Sequence, residues 1–326
     1  MAVLDDVKEL VKLFRHSAFV MIVLLRNLVL RFDNMQITNG TKMSKQSRLS
    51  RKSTGQFDPK KWVDEGDGLL SSSQNIRDTW ENHRVAFSQT VKQQNSGQRP
   101  TTNDWSLLTG LPRASMLLLG YAVEMYLKAG IAKAYQSCAN KMFERDVKSR
   151  FGHKLDDMAK ELAFPFESND QQQFQKLTDM VLIDARYPIF VPEGDTYAEA
   201  VNQQTSRIWS KDEYDDLHAL VRRVREHVSK IDADSENPTS FHSFNIDDDG
   251  YLAFRAGGHL PPRITYRLSA EMRDADHKTA SDVKSLLDER NHHQILRFWD
   301  QAWIYEDGET SKGQPKTSRR QQPSTT

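Results

Sequence analysis

Residues 114–132, ASMLLLGYAVEMYLKAGIA, constrain this chain more than any other stretch, because they carry only two charges, Glu124 and Lys128. Read as a helix, Met116 to Leu119 and Tyr121 to Val123 leave it apolar on nearly every side. A helix of that kind is stable in water only when other elements enclose it. The chain must therefore build a layer around it, and a mainly α antiparallel helical bundle is the expected answer. The central helix is predicted to begin near Pro112, since proline suits a first helical position, and to run to about Tyr135. Glu124 and Lys128 lie four apart with the acid first, the favourable order for a helical ion pair. Burying such charges costs several kcal/mol each unless they pair well or serve a site.

The surrounding helices announce themselves by period. Asp58 and Pro59 make a helix start, followed by Trp62, Leu69, Ser73, Ile76, Trp80 and Phe87 at spacings of three, four and seven. Residues 93–104 read as a polar break. Gly152, His153, Lys154 and Leu155 open a short helix with Leu155, Met158 and Leu162 on one face. A further helix is expected over 169–185, with Phe174, Leu177 and Val181 sharing a face, ending at Arg186, Tyr187 and Pro188 because a residue before proline avoids helical angles. A loop is then predicted up to Trp209. Ser210 and Glu213 form a capping-box pattern before a long helix whose stripe is Leu217, Leu220, Val221, Val224, Val228 and Ile231.

The flanks have a different character. Residues 1–34 hold an apolar run, 18–25, that is too short to span a bilayer and is preceded by Asp5, Asp6 and Glu9 where a signal peptide would be basic. Three readings of this N-terminal helix stay open: packing on the domain or on a second copy, contact with a membrane surface, or an over-extended reading frame whose start is Met35 or Met43. Residues 35–56 read as a basic disordered linker and 307–326 as a basic disordered tail, rich in Ser, Thr, Gln and Gly or Pro. Between the bundle, 57–231, and that tail, residues 232–306 read as a small α+β extension. Tyr251 to Phe254 and Arg263 to Leu268 are its strands, and a last helix over about 280–305 carries Leu286, Leu287, Ile295, Leu296, Phe298 and Trp299. Trp299 and Trp303 are expected against the bundle.

Composition excludes several chemistries. The single Cys138 rules out an intrachain disulfide and a cysteine zinc site, and points to a reducing cytoplasm. Asn245, Asp247, Asp249 and Gly250 match the opening of a calcium loop, but its twelfth position is Ala256 where a bidentate Glu is needed, so an acidic turn is expected. His292 and His293 are adjacent and cannot chelate one ion from one helix. No glycine-rich phosphate loop, metal-ligand cluster or serine-nucleophile elbow occurs, so neither metal nor cofactor is expected. The 45 basic and 45 acidic residues cancel because basic flanks oppose the acidic stretch 232–249, so any anionic partner would be met locally.

The order of signals resembles the HEPN family: YAVEMYLKAG with Glu124 and Lys128, the Gly152-His153-Lys154-Leu155 opening, Ala185-Arg186-Tyr187-Pro188, and a final long helix, over residues 57–231. The resemblance implies an antiparallel helical bundle that homodimerises and that occurs in nucleotide-binding proteins, RNA-cleaving toxins and phage-defence components. RNA-cleaving members carry Arg and His separated by four to six intervening residues, paired across the dimer, and act without metal. Arg77 with His83 and Arg222 with His227 fit that spacing, but with 24 Arg and ten His chance supplies such matches. Residues five apart on a helix also point about 140° apart. Arg222 and His227 are the candidate catalytic pair, with Arg223 and Arg225 as a basic patch on the same helix, or all of them form a solvated face. The other candidate is Glu124, Lys128, His153 and Arg186, either a ligand site or a buried polar network. The expected function is RNA binding or metal-independent RNA cleavage in phage defence or toxin control, or else a catalytically silent module that binds a nucleotide or a partner protein and serves as a dimerisation scaffold.

Overall fold

Asp58 and Pro59 do start the first helix. In the computed structural model, which describes residues 47–92, 99–184, 191, 193–275, 279–309 and 315–321, α1 spans Pro59–Lys92 and buries Trp62, Leu69, Ser73 and Trp80 along the predicted stripe. It runs antiparallel to α2, Thr102–Ala134. The register is set by side chains meeting in reverse order. Lys128 lies over the Trp62 ring, Ser73 Oγ donates to the Ser115 carbonyl at 2.7 Å, the Trp80 indole donates to the Leu108 carbonyl at 3.0 Å, and the Phe87 and Trp105 rings are 4.7 Å apart. At Gly66 a Cβ would sit 2.6 Å from the Tyr126 ring, so only glycine admits this close approach.

α2 begins ten residues before the predicted start, which is a correction with a clear cause. Thr101 and Asp104 form a capping box, and Pro112 lies inside the helix. A proline there leaves the carbonyl four residues earlier without its amide donor. That carbonyl belongs to Leu108, and the Trp80 indole supplies the missing hydrogen bond. By length and composition α2 is the one helix among the described residues apolar enough to cross a membrane, and half of its apolar window is buried inside the protein. It is the core helix the sequence demanded: Met116, Leu118, Leu119, Ala122, Val123, Tyr126 and Leu127 are all buried.

The bundle closes around α2 with α3, Asn140–Arg145, which passes through a π-helical turn to Phe151, then α4, Leu155–Glu161, and α5, Asp170–Asp179, extended in π form to Asp184. α6, Tyr197–Trp209, stands where a loop was predicted. Its burial stripe is only Ala200, Gln204 and Ile208, too polar to read by period, yet Thr196 and Glu199 cap it fully. α7, Lys211–Lys230, buries Leu217, Leu220, Val221, Val224 and Val228 as predicted. Its cap is half of the predicted box: Ser210 Oγ accepts from the Glu213 amide, but the Ser210 amide already serves the Ser206 carbonyl of α6, and the Glu213 carboxylate pairs with Lys176.

The C-terminal part departs most from expectation. Five strands, β1 Ser240–Asn245, β2 Tyr251–Gly257, β3 Leu260–Arg267, β4 Trp303–Glu309 and β5 Pro315–Gln321, form one sheet in that order. All neighbours are antiparallel except β3 and β4, which are parallel. A parallel pair needs a crossover, here made by α8, Ala270–Asp274, α9, Ala280–Glu289, and α10, His293–Leu296. The predicted helix through Tyr305 thus stops well short, and residues 315–321 of the expected tail are a strand. Alternation divides the sheet. Leu252, Phe254, Ile264, Tyr266 and Ile304 pack with Val283, Leu287, Ile295 and Trp299, so Trp299 lies under the sheet rather than on the bundle. The opposite face carries Tyr251, Arg255, Arg263, Thr265, Tyr305 and Asp307, and its side chains reach the helices and the turns that flank them, Ala139 before α3 and Asp232 after α7.

Residues Gln46–Thr326 form one compact unit, so bundle and extension are not separate bodies. Met1–Lys45 forms the other unit and lies outside the described residues, with the expected N-terminal helix and most of the expected linker. The last linker residues are anchored: Leu49 is buried, its amide donates to the Cys138 carbonyl at 3.0 Å, and its own carbonyl accepts from Ser137 at 2.9 Å.

Candidate functional site

The structure brings together three of the four residues named from the central helix and the Gly-His turn. Glu124 sits on the enclosed face of α2 with its side chain 2% exposed. Its Oε1 accepts from Lys128 Nζ at 2.5 Å, and its Oε2 meets His153 Nδ1 at 2.9 Å. His153 is placed by the turn after the π-helical segment, where Gly152 takes φ +55°, and its carbonyl accepts from Thr178 at 3.3 Å. Lys128 is nearly buried over Trp62, whereas the His153 side chain remains 35% exposed. Arg186, the fourth, lies outside the described residues.

The electrostatics of this trio follow from the partners. Burial pushes the Glu124 carboxyl up, but the His153 hydrogen bond and the Lys128 charge outweigh it and hold the group below its ordinary range. An ionised carboxylate only accepts, so His153 Nδ1 carries the proton and Nε2 is the nitrogen left to the surroundings. Among the described residues no group bonds to Nε2. An oriented, half-open imidazole backed by a buried carboxylate suits proton transfer or contact with an anion. Lys128 balances the Glu124 charge, so the site does not repel a phosphate.

The α7 candidates are arranged differently. His227 Nε2 donates to the Leu162 carbonyl at 2.9 Å and the ring packs edge-on against Phe164, while burial lowers its tendency to protonate. Arg222 is exposed, and no contact among the described residues joins it to His227. Arg223 pairs with Asp170 and Glu167, and Arg225 forms a double hydrogen bond with Asp67 at 2.6 and 2.8 Å. The helix therefore carries no continuous unpaired basic patch at these positions. Arg77 of the other spaced pair is buried, donating to the carbonyls of Ile208 and Ser210 at 2.8 Å each and so capping the end of α6. It is structural.

Sequence reasoning missed an ionic layer between bundle and sheet. Arg263 stacks between the rings of Tyr135 and Tyr305, 4.2 and 3.8 Å from their centroids, and donates to Glu161 at 2.5 Å. Arg150 joins the same carboxylate at 2.8 Å, and Arg145 bridges Asp146 and Asp307 at 3.0 and 2.9 Å. Tyr135 and Thr317 hydroxyls donate to Asp146 at 2.7 and 2.8 Å. Alternation within YLAFRA and RITYR, which puts Arg255 and Arg263 on one face, was the available signal. A cavity of about 200 Å³ lined by Arg150, Phe151, Asp157, Lys160 and Glu161 opens beside this layer, where Arg150 pairs with Glu161 and Lys160 turns to Asp156 outside the lining.

Other candidates resolve as structure. Asp247 Oδ1 accepts from the amides of Asp249 and Gly250 at 3.1 and 2.6 Å, closing the β1–β2 turn. Cys138 is buried and its thiol is pushed up to about 11, which suits a packing residue, not a nucleophile. Among the described residues no group of three His, Cys, Asp or Glu is placed to hold a metal ion. Against family models, characterised proteins and solved structures, the chain finds no match.

Proposed function

We propose that this chain is a HEPN-like helical module that binds the phosphate of an RNA or nucleotide at His153 and is catalytically silent. The observation that carries the reading is the Glu124–His153 hydrogen bond at 2.9 Å, with the acid buried and the imidazole one-third exposed. Glu124 holds the Nδ1 proton, Lys128 cancels the acid's charge, and Nε2 faces the ligand. With a second proton the ring becomes a charge-assisted donor to a phosphate oxygen. The buried carboxylate keeps that cation in one orientation, so little ordering remains to be done on binding.

Two observations favour binding over cleavage. Arg222 and His227 do not converge, and His227 spends its ring N–H on a backbone carbonyl. As in the family it resembles, the module acts as a homodimer in this reading. The test is fluorescence anisotropy with labelled AMP and with a labelled single-stranded RNA, together with a cleavage assay in EDTA. His153→Gln is expected to weaken both ligands about tenfold, the loss of one charge-assisted hydrogen bond, and no product is expected from RNA in EDTA. Unchanged affinity in His153→Gln would sink the assignment. Metal-independent cleavage abolished by His227→Ala would establish the ribonuclease reading in its place.

A further inference from the structure

The far end of the α1–α2 hairpin leaves part of its aromatic surface exposed. Trp105 is 53% exposed, and its ring meets Phe87 at 4.7 Å with a 75° interplanar angle. His83 continues the row, 6.4 Å from Phe87, and its Nε2 bonds the Asp104 carbonyl at 3.0 Å, fixing the ring. Three exposed cations lie on the adjoining stretches: Arg84, next to His83 in sequence with its guanidinium 5.0 Å over the Trp80 ring, Lys92 at the end of α1, and Arg99 just before α2. None of the three makes an ion pair among the described residues. The acids nearby are committed, Asp104 to the Thr101 amide and hydroxyl at 2.7 Å each, and Glu81 to Arg77 at 3.8 Å.

We infer that this tip is a stacking platform for single-stranded RNA, with Trp105 receiving a base and Arg84, Lys92 and Arg99 following the backbone. Aromatic rings interleaved with uncompensated cations are the two components of such a platform, and every base offers a π face to the exposed ring. An anionic lipid surface would satisfy the same cations. However, the exposed aliphatic surface here is two valines, Val85 and Val91, placed singly, so the rings outweigh any insertable apolar patch.

The inference deepens the RNA reading above by adding a second contact on the same strand, yet it can fail separately. Trp105 and Glu124 are nineteen residues apart on α2, about 29 Å at the helical rise. A mononucleotide at His153 cannot reach Trp105, whereas an oligonucleotide can.

The experiment measures anisotropy of labelled AMP and of a labelled fifteen-nucleotide oligouridine on the full chain. Trp105→Ala is expected to weaken the oligouridine about tenfold, with Trp105→Phe retaining most of the affinity and AMP unchanged in both. Lys92→Gln with Arg99→Gln is expected to flatten the salt dependence by about 1.4 in log–log slope, the share of two phosphate contacts on a single strand. His153→Gln weakens both ligands if the first reading holds, and leaves both alone if that reading alone fails. Oligouridine affinity unchanged in Trp105→Ala, or no oligouridine binding by the wild type, would overturn the platform. So would loss in Trp105→Ala of binding to phosphatidylserine vesicles, or of the dimer in sedimentation, at constant oligouridine affinity.

Discussion

Glu124 is a buried charge held by two partners, and the cost of disturbing it is set by what remains behind. Glu124→Gln would leave the nearly buried Lys128 ammonium over Trp62 without its counter-ion. Breaking a buried pair from one side costs about 3–5 kcal/mol, and urea unfolding of the variant is expected to show a loss in that range. Stability also has a definite pH dependence, to which two of these buried groups contribute directly. His227 is lowered by burial, so its contribution is complete above the unfolded imidazole value near 6.5 and is lost as pH falls through the lower folded value. Glu124 is lowered by its partners, so its contribution is complete above about 4.3 and is lost on further acidification. Stability is therefore expected to fall in two stages, and His227→Gln should shrink the first, leaving the part due to His218, which burial lowers in the same way. A pH–stability curve flat between neutrality and pH 5 would contradict this assignment. The acid, the lysine and the histidine were legible as single letters with the right spacing. That Nδ1 faces Glu124 was not, because it depends on where the Gly152 turn sends the ring.

At the scale of elements, the Trp80 and Pro112 relationship shows how a helix tolerates proline in its interior. The Leu108 carbonyl, which has no amide donor at position 112, accepts from the Trp80 indole at 3.0 Å. Trp80→Phe keeps most of the ring and removes the donor, and is expected to cost about 1–3 kcal/mol for the stranded carbonyl plus the lost packing. Pro112→Ala restores a backbone donor, so the double variant should recover part of the loss. Additive effects in that cycle would show that the indole bond does not compensate for the proline. The same residue explains why the start of α2 was misread: proline signals a helix start in most contexts, and nothing local in the sequence reveals a tryptophan 32 positions earlier that completes the hydrogen bonding. α6 was missed for a different reason, since its stripe depends on Gln204 being accepted into a polar interface. α1, α5 and α7 were legible because strong apolar period and tertiary burial agree.

At the largest scale, the unit Gln46–Thr326 is a helical bundle joined to a five-stranded sheet by charge as well as by apolar packing. Arg145, Arg150 and Arg263 from both layers are matched by Asp146, Glu161 and Asp307. Such a layer cannot be divided without stranding ions, so helix content followed by circular dichroism and tryptophan fluorescence should unfold at one urea midpoint. Separate midpoints would mean that bundle and sheet are independent. Strands β4 and β5 were hidden in the sequence because their pairing is non-local and partly polar, and a short apolar run beside a helix reads as its continuation.

The central claim is that His153, oriented by Glu124, contacts the phosphate of a nucleic acid ligand, and the most direct test watches that ring. In a nitrogen-15 spectrum of histidine side chains, assigned with His153→Gln, the free protein should show His153 protonated at Nδ1. Addition of AMP should move its Nε2 resonance while His227 stays in place. Saturating AMP that leaves the His153 ring nitrogens unshifted would contradict the account.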